Sequence, residues 1–339
     1  MPEIFMYKGI ISVLGNILVI LSPIVNKRLR TVTNFFLVSL AFADTLIGIL
    51  VLPFSAYNEL HRRWHMGAPF CNVYVSFDVL FCTASILNLF VICVDRYFAI
   101  TRPMEYPLKM TMRRAVIAAI VLWAVSLLIS FLPLHLGWNT PDGKVQNYDD
   151  PHQCGLVANT TYALVDGILL FFIPLTLMAL MYLKIVLIAR KQARSIRRTT
   201  VYDAHYKRSI DEHKATKIIA IVMGCFIVCW VPYFTAFTFC PAFHCNLNAD
   251  AYAVIVWMGY FNSTMNPCLY AWLNREFRKA FKTIICCNRL VRRKSRTRSF
   301  FGDKGDPTST SSMTMTITRY NGPQGNGYME IGNGNGARV

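Results

Sequence analysis

Charge is scarce in this chain, and negative charge scarcer still. Only 16% of its 339 residues are charged, with 18 Asp and Glu against 35 Lys and Arg. With 54% hydrophobic residues it is too apolar for an ordinary soluble protein. The 11 cysteines follow no metal-ligand spacing, and several sit inside apolar runs, where a free Cys behaves as a small hydrophobe. The buried-type Asp, His and Cys residues form no nucleophile–base or metal-ligand arrangement, which argues against an enzyme. No internal repeat is visible, and paired repeats are what a transporter or channel usually shows. No cleavable signal peptide is apparent, because the first apolar run begins almost at Met1 and continues too long for one.

What the chain does have is long apolar runs. Seven can be marked: Ile4–Val25, Thr33–Tyr57, Phe70–Ile100, Ala115–Leu136, Tyr162–Ile188, Lys217–Phe239 and Ala251–Trp272. Each is long enough for a membrane-spanning helix. Their connections alternate in charge. Asn26–Thr31 carries Lys27, Arg28 and Arg30 with no acid. Arg102, Lys109, Arg113 and Arg114 face Glu105 between the third and fourth runs, and Arg190–Lys217 holds nine basic residues against three acids. Gly137–Thr161, by contrast, has Asp142, Asp149 and Asp150 against Lys144. The positive-inside rule therefore explains the net charge of +17 without nucleic acid, and it places the amino terminus outside and the carboxyl terminus inside. The fold class read from this pattern is an all-α membrane protein, a seven-transmembrane helix bundle over residues 1–273. Residues 274–287 follow as a short amphipathic eighth helix on the inner leaflet, with Phe277 and Phe281 set among basic residues. Cys286 and Cys287 are juxtamembrane palmitoylation candidates. Residues 288–339 read as a disordered cytoplasmic tail, with a hydroxyl run over 308–318 able to accept phosphates.

The third run carries Asp78 near one end and Asp95-Arg96-Tyr97 at the other. On a helix, Asp78 and Arg96 share one face about 27 Å apart, close to the thickness of a hydrocarbon core. Asp44, Asp78 and Asp166 are acids inside apolar runs, at an insertion cost of about 2.5–3.5 kcal/mol each. Asp44 suits either a small hard cation such as sodium, held with Ser85, Asn262 and Asn266, or a satisfied hydrogen-bond network that includes Asn16. Asp78 has no Lys or Arg at comparable depth. It either takes a protonated amine from outside, with Trp230, Tyr233, Phe234 and Tyr260 as aromatic walls, or is a protonated acid bonded to Tyr260. Asp166 either shares that cavity or faces the headgroups. Prolines 133, 174, 232 and 267 mark helix curvature or hinges. Cys71 and Cys154 lie in the oxidising compartment and suggest a disulfide, and Cys240 and Cys245 suggest a second. Asn159-Thr160-Thr161 is a glycosylation sequon.

Seven spans together with Asp95-Arg96-Tyr97, Cys229-Trp230-Val231-Pro232 and Asn266-Pro267-Cys268-Leu269-Tyr270 resemble the rhodopsin-like (class A) G-protein-coupled receptors. Asn16, Asp44, Arg96, Trp123, Pro174, Pro232 and Pro267 supply that family's marker residue in each helix. The resemblance implies a resting pair of Arg96 with Asp95 and Glu212, and opening of the inner face to a heterotrimeric G protein. It also implies stabilisation of the open form by Tyr182 and Tyr270, and a packing switch of Ile86, Pro174 and Phe226. Receptor kinases and arrestin would act on the Ser/Thr-rich tail. Within the family the chain looks like the biogenic-amine group. Tyr162-Ala163-Leu164-Val165-Asp166-Gly167, Glu212-His213-Lys214-Ala215-Thr216 and Pro232-Tyr233-Phe234-Thr235-Ala236-Phe237 are similar to the type-2 histamine receptors. That likeness implies ligand contacts at Asp78, Val79, Cys82, Thr83 and Asp166, a histamine-like amine, and stimulatory coupling with rising cyclic AMP. Leu170 departs from the pattern, standing where those receptors have a threonine. The expectation is a plasma-membrane amine receptor with no cofactor beyond an allosteric sodium ion. Octopamine, dopamine or serotonin is the alternative ligand class. Tyr162–Pro174 has none of the serines a catecholamine site uses, and Ala251–Trp272 has no lysine for a retinal Schiff base.

Overall fold

The computed structural model describes residues 2–150, 152–196, 204–245 and 247–286, with side chains outside 1–8, 189–217 and 219. In chain order the helices are α1 (Pro2–Val25), α2 (Val32–Leu50), α3 (Leu52–His61), α4 (Ala68–Thr101), α5 (Tyr106–Lys109) and α6 (Met112–Leu136). There follow α7 (Thr160–Asp166), a π-helical stretch (Gly167–Phe172), α8 (Ile173–Ile196), α9 (Ala204–Phe243), α10 (Ala249–Leu273) and α11 (Arg275–Ile285). They belong to one compact unit, Met1–Arg289. The tail 288–339 and Cys287 lie outside the described residues.

The seven spans form the expected all-helical bundle. Among the described residues five helical stretches are long and apolar enough to cross a membrane: Val32–His61, Ala68–Thr101, Met112–Leu136, Thr160–Ile188 and Ala220–Phe243. Gly9–Val25 is a shorter apolar helix, and α10 is more polar because it buries Asn262, Ser263, Thr264 and Asn266. Helix starts are set by side-chain caps: Thr31, Thr111 and Asn159 at span starts, and Asn274 before α11, each accept a backbone N–H of the helix that follows. α6 exposes Ile117, Ile120, Val121, Leu127 and Leu128, an apolar outer face of the kind that lipid covers.

Two spans are broken where the sequence reads them as continuous. The second divides at Val51, one residue before a helix start that carries Pro53, whose ring has no N–H to continue the ladder. The fifth passes through the π stretch between Asp166 and Pro174. Pro174 has no N–H for the Leu170 carbonyl, and the Ile173 N–H bonds back to Ile168, a wider turn. α4 lies at the centre of the packing, against α2, α6 and α8. α11 docks on α1 and α10 through buried Phe277, Ala280 and Phe281, and Asn26 donates to a Glu276 oxygen at 3.0 Å. Hydrogen bonds from Asn26 and Lys279 hold the Glu276 carboxyl below its ordinary range.

Candidate functional site

Toward the Asp78 end of the bundle a cavity of about 330 Å³ opens, lined by α3, α4, α7, α9 and α10. Asp78 and Asp166 both line it, so Asp166 faces the cavity. Asp78 accepts the Tyr260 hydroxyl at 2.8 Å and the Cys82 thiol at 3.5 Å. Asp166 follows at the C-terminus of α7, where the helix widens. Gly167 approaches α9 so closely that a Cβ there would stand 1.8 Å from the Thr238 Oγ1. Only glycine lets the two spans meet at this depth.

Aromatic rings make the floor and wall. Trp230 stands edge-on to Tyr233 at 5.8 Å, Phe234 stacks on Phe171 at 4.0 Å, and Tyr233 stacks on Phe237 at 5.8 Å. Gly259 lets Trp230 lie flat against α10, since a Cβ there would come within 2.9 Å of the indole. Val79, Cys82 and Thr83 also line the space. Tyr74, Phe237, Tyr252 and Trp257 belong to it too, and sequence reasoning missed them. Their only prior signal is the aromatic density of the spans. Arg62 reaches the rim, but its guanidinium is engaged with Glu59 at 2.8 Å and Asp250 at 2.9 Å. Glu59 is thus neutralised, whereas Asp78 and Asp166 have neutral hydroxyl and thiol partners at most among the described residues, and the cavity is suited to a cation with a polar far end.

Cys71 is disulfide-bonded to Cys154, whose neighbours Gly155 and Leu156 cover the cavity. Cys240 and Cys245 correct an expectation: both are free thiols. The turn is closed instead by the Cys245 N–H on the Cys240 carbonyl at 3.2 Å, with His244 left-handed at φ 51°. The Asn159 amide nitrogen, which a glycan would occupy, donates to the Trp138 and Thr140 carbonyls, both at 3.0 Å.

Below the cavity, Asp44 is buried and accepts Ser263 Oγ at 2.7 Å and Asn266 Nδ2 at 2.8 Å. Asn16 donates to the Ser263 carbonyl at 3.0 Å, tying α1 to α10, where Gly15 abuts Pro267. Ser263 was absent from the expected set. Ser85 Oγ and Asn262 Nδ2 are buried without a hydrogen-bond partner, and they do not bond Asp44. Between cavity and inner end, Phe226 is buried 6.2 Å from Phe171 and 6.4 Å from Trp230, with Ile86 and Pro174 also buried.

At the other end Arg96 pairs with Asp95 through Nη2 at 2.8 Å and Nε at 3.1 Å. Two residues not foreseen complete the cluster. Thr33 donates to Asp95 and accepts from Arg96. Tyr106 donates to Asp95 at 2.7 Å and accepts from Arg96 at 3.2 Å. Tyr97 is only partly buried and outside this cluster. Tyr182 is half-buried, while Tyr270 is buried and stacks on Phe277 at 5.4 Å. The Glu212 side chain lies outside those described.

The sequence profile described as "7 transmembrane receptor (rhodopsin family)" matches residues 15–270. The chain belongs to that family. It is 43% identical to the human histamine H2 receptor over 304 residues, covering 89% of this chain and 84% of that one. The rat histamine H2 receptor is 46% identical over 279 residues, or 82% of this chain and 77% of the relative. An octopamine receptor beta-2R of Chilo suppressalis is 35% identical over 308 residues, with shares of 82% and 77%. A receptor of this family with these apolar spans is a multi-pass plasma-membrane protein.

Proposed function

We propose that the chain is a cell-surface receptor for a small biogenic amine with a polar or basic far end, histamine-like in outline, acting through a heterotrimeric G protein. The observation that carries this reading is the pair Asp78 and Asp166 in one aromatic-walled cavity. An ammonium pairs with Asp78, held by the Tyr260 hydroxyl, while the rings add cation–π attraction. The far end meets Asp166. Leu170 stands where the type-2 histamine receptors have a threonine, and Asp166 is the fifth-span residue that lines the cavity. Ligand binding biases Trp230 and Phe226, and α9 moves about Pro232 to uncover Arg96. Agonism of this kind requires tighter binding to the open state than to the closed one.

The amino terminus is outside and the carboxyl terminus inside by the charge alternation of the loops. Stimulatory coupling is the expectation from the histamine H2 receptor relatives. Kinases and arrestin would engage the Ser/Thr-rich tail, the inner leaflet would hold α11, and Cys286 and Cys287 would carry palmitate. The buried oxygens of Asp44, Ser85 and Ser263 fit a sodium ion, with Asn262 and Asn266 beside them. Such an ion would supply positive charge to Asp44 and favour the resting arrangement.

The test is an amine panel on transfected cells with a cyclic AMP readout. Histamine activating at lower concentration than octopamine, dopamine or serotonin supports the reading, with Asp78→Ala abolishing every response. A response at unchanged potency in Asp78→Ala overturns the site. Octopamine as the most potent amine, with no loss in Asp166→Ala, favours the monoamine alternative.

A further inference from the structure

Outside the amine cavity, two histidines from different loops lie close together, their ring planes tilted. His65 follows α3 and His152 lies in the long connection after α6; their ring centroids are 6.3 Å apart. Both are exposed, yet both rings are fixed from behind. His152 Nδ1 lies 3.3 Å from the Trp64 carbonyl oxygen. A carbonyl only accepts, so Nδ1 carries the proton and Nε2 keeps its lone pair. His65 Nδ1 lies 3.1 Å from the Tyr57 hydroxyl, and in the tautomer whose Nδ1–H donates to that hydroxyl the outer nitrogen keeps its lone pair. An inner N–H bonded to a carbonyl or hydroxyl is the orientation that metal-ligating histidines take.

We propose that His65 and His152 form a two-histidine site for a divalent transition-metal ion, zinc above all. With Zn–N bonds of about 2.0–2.1 Å and a tetrahedral angle, an ion between two imidazoles holds the centroids roughly 5 Å apart. From the observed spacing the two exposed rings close by about 1 Å and turn their outer nitrogens onto the ion. No third His, Cys, Asp or Glu joins them among the described residues, so water completes the shell and binding is micromolar rather than structural. The backbone supports the arrangement from the same two loops, since the Trp64 N–H donates to the His152 carbonyl at 2.7 Å and Trp64 is wholly buried. Of the neighbouring arginines, Arg62 pairs with Glu59 and Asp250, while exposed Arg63 has no ion pair among the described residues; Asp150 accepts the His152 backbone N–H at 3.0 Å.

The ion would tie the loop after α3 to the segment that covers the cavity. Two residues beyond His152, Cys154 is bonded to Cys71, and Gly155 and Leu156 line the amine cavity. Metal binding makes that cover less free to open, so a bound ligand leaves more slowly.

Zinc is added to purified full-length receptor, its affinity tag removed, in competition with a chromogenic zinc indicator. One ion per receptor is expected at micromolar zinc, lost in either His65→Gln or His152→Gln and kept in His61→Gln. His65→Cys, which retains a zinc ligand, keeps the ion. Equal binding by the wild type and both Gln variants overturns the proposal. Melting curves without zinc confirm that each variant is folded. This readout uses no amine, so it stands or falls apart from the receptor's ligand. In a second measurement zinc slows dissociation of a bound radiolabelled amine antagonist severalfold in the wild type and not in His152→Gln. An equal effect in both overturns the clamp.

Discussion

The Tyr260 hydroxyl donates to an Asp78 oxygen at 2.8 Å, joining α4 to α10 across the cavity. The bond aims the carboxylate before any ligand arrives. Tyr260→Phe leaves Asp78 charged but free to turn, and a neutral donor that shares the carboxylate with the amine is lost. Losing an oriented bond to a charged group costs about 1.5–3 kcal/mol. Amine affinity in radioligand competition should therefore fall roughly tenfold or more in Tyr260→Phe. Asp78→Asn should lose far more, because the charge itself goes. Wild-type affinity in Tyr260→Phe would remove this tyrosine from the site.

At the other end the prediction concerns signalling without ligand. Asp95 is fully buried and accepts from Thr33, Tyr106 and Arg96. The same two hydroxyls hold the Arg96 guanidinium. Arg96 must leave this cluster to meet a G protein, so Tyr106→Phe or Thr33→Ala should weaken the resting state by about 1–2 kcal/mol. Basal nucleotide exchange on purified G protein should rise about fivefold, and about thirtyfold at most. A fall would reverse the assignment.

Tyr106 also gives a pH expectation. Burial first, then the Asp95 charge, pushes its phenol up to about 12. A raised acid keeps its proton until the pH nears that value, so Tyr106 remains a donor throughout the physiological range. Basal exchange should be flat from pH 7 to 9 as far as this group decides it. A step near pH 10 that disappears in Tyr106→Phe would contradict the burial.

Much of this was legible in the chain. The seven spans lie within a few residues of the apolar runs because lipid demands long unbroken hydrophobic stretches, a signal local in sequence. Asp44, Asp78 and Asp166 stood out because each is costly where it lies. Their partners were harder to find. Ser263, Thr33 and Tyr106 are ordinary polar residues whose role depends on which helix faces which, and no spacing reports that. The break at Val51 had a signal in Pro53. The π stretch had one only in Pro174, which marks a lost bond but not how the helix repairs it. Cys240 and Cys245 are close enough in sequence to suggest a bridge, yet a backbone turn holds them as thiols.

Asn159 tests a motif against geometry. Its Oδ1 caps α7 by accepting the Tyr162 N–H at 2.7 Å, while Nδ2 bonds two carbonyls of the preceding connection. A glycan on Nδ2 would displace both bonds. Enzymatic deglycosylation should leave the electrophoretic mobility of the receptor unchanged. Asn159→Ala should lower surface yield, since the cap alone is worth about 1 kcal/mol. A mobility shift abolished by Asn159→Gln would show that the sequon is used.

The last prediction concerns the residue beside Asp166. Gly167 has no Cβ, and one there would lie 1.8 Å from Thr238 Oγ1 and 2.8 Å from its Cβ. Neither atom can yield freely, because Thr238 is fully buried. Gly167→Ala must then push the end of α7 away from α9, carrying Asp166 with it while leaving Asp78 on α4 in place. Overpacking of this kind costs about 1–3 kcal/mol. Agonists with a polar far end should lose potency by roughly tenfold or more, whereas simple monoamines anchored at Asp78 should lose little. Adding Thr238→Ala to Gly167→Ala removes the nearest atom and should restore part of the loss, measured as the potency ratio of the two ligand types. An equal loss for both would mean that the collision disturbs the whole cavity, and a full response in Gly167→Ala would mean that the two spans do not meet there.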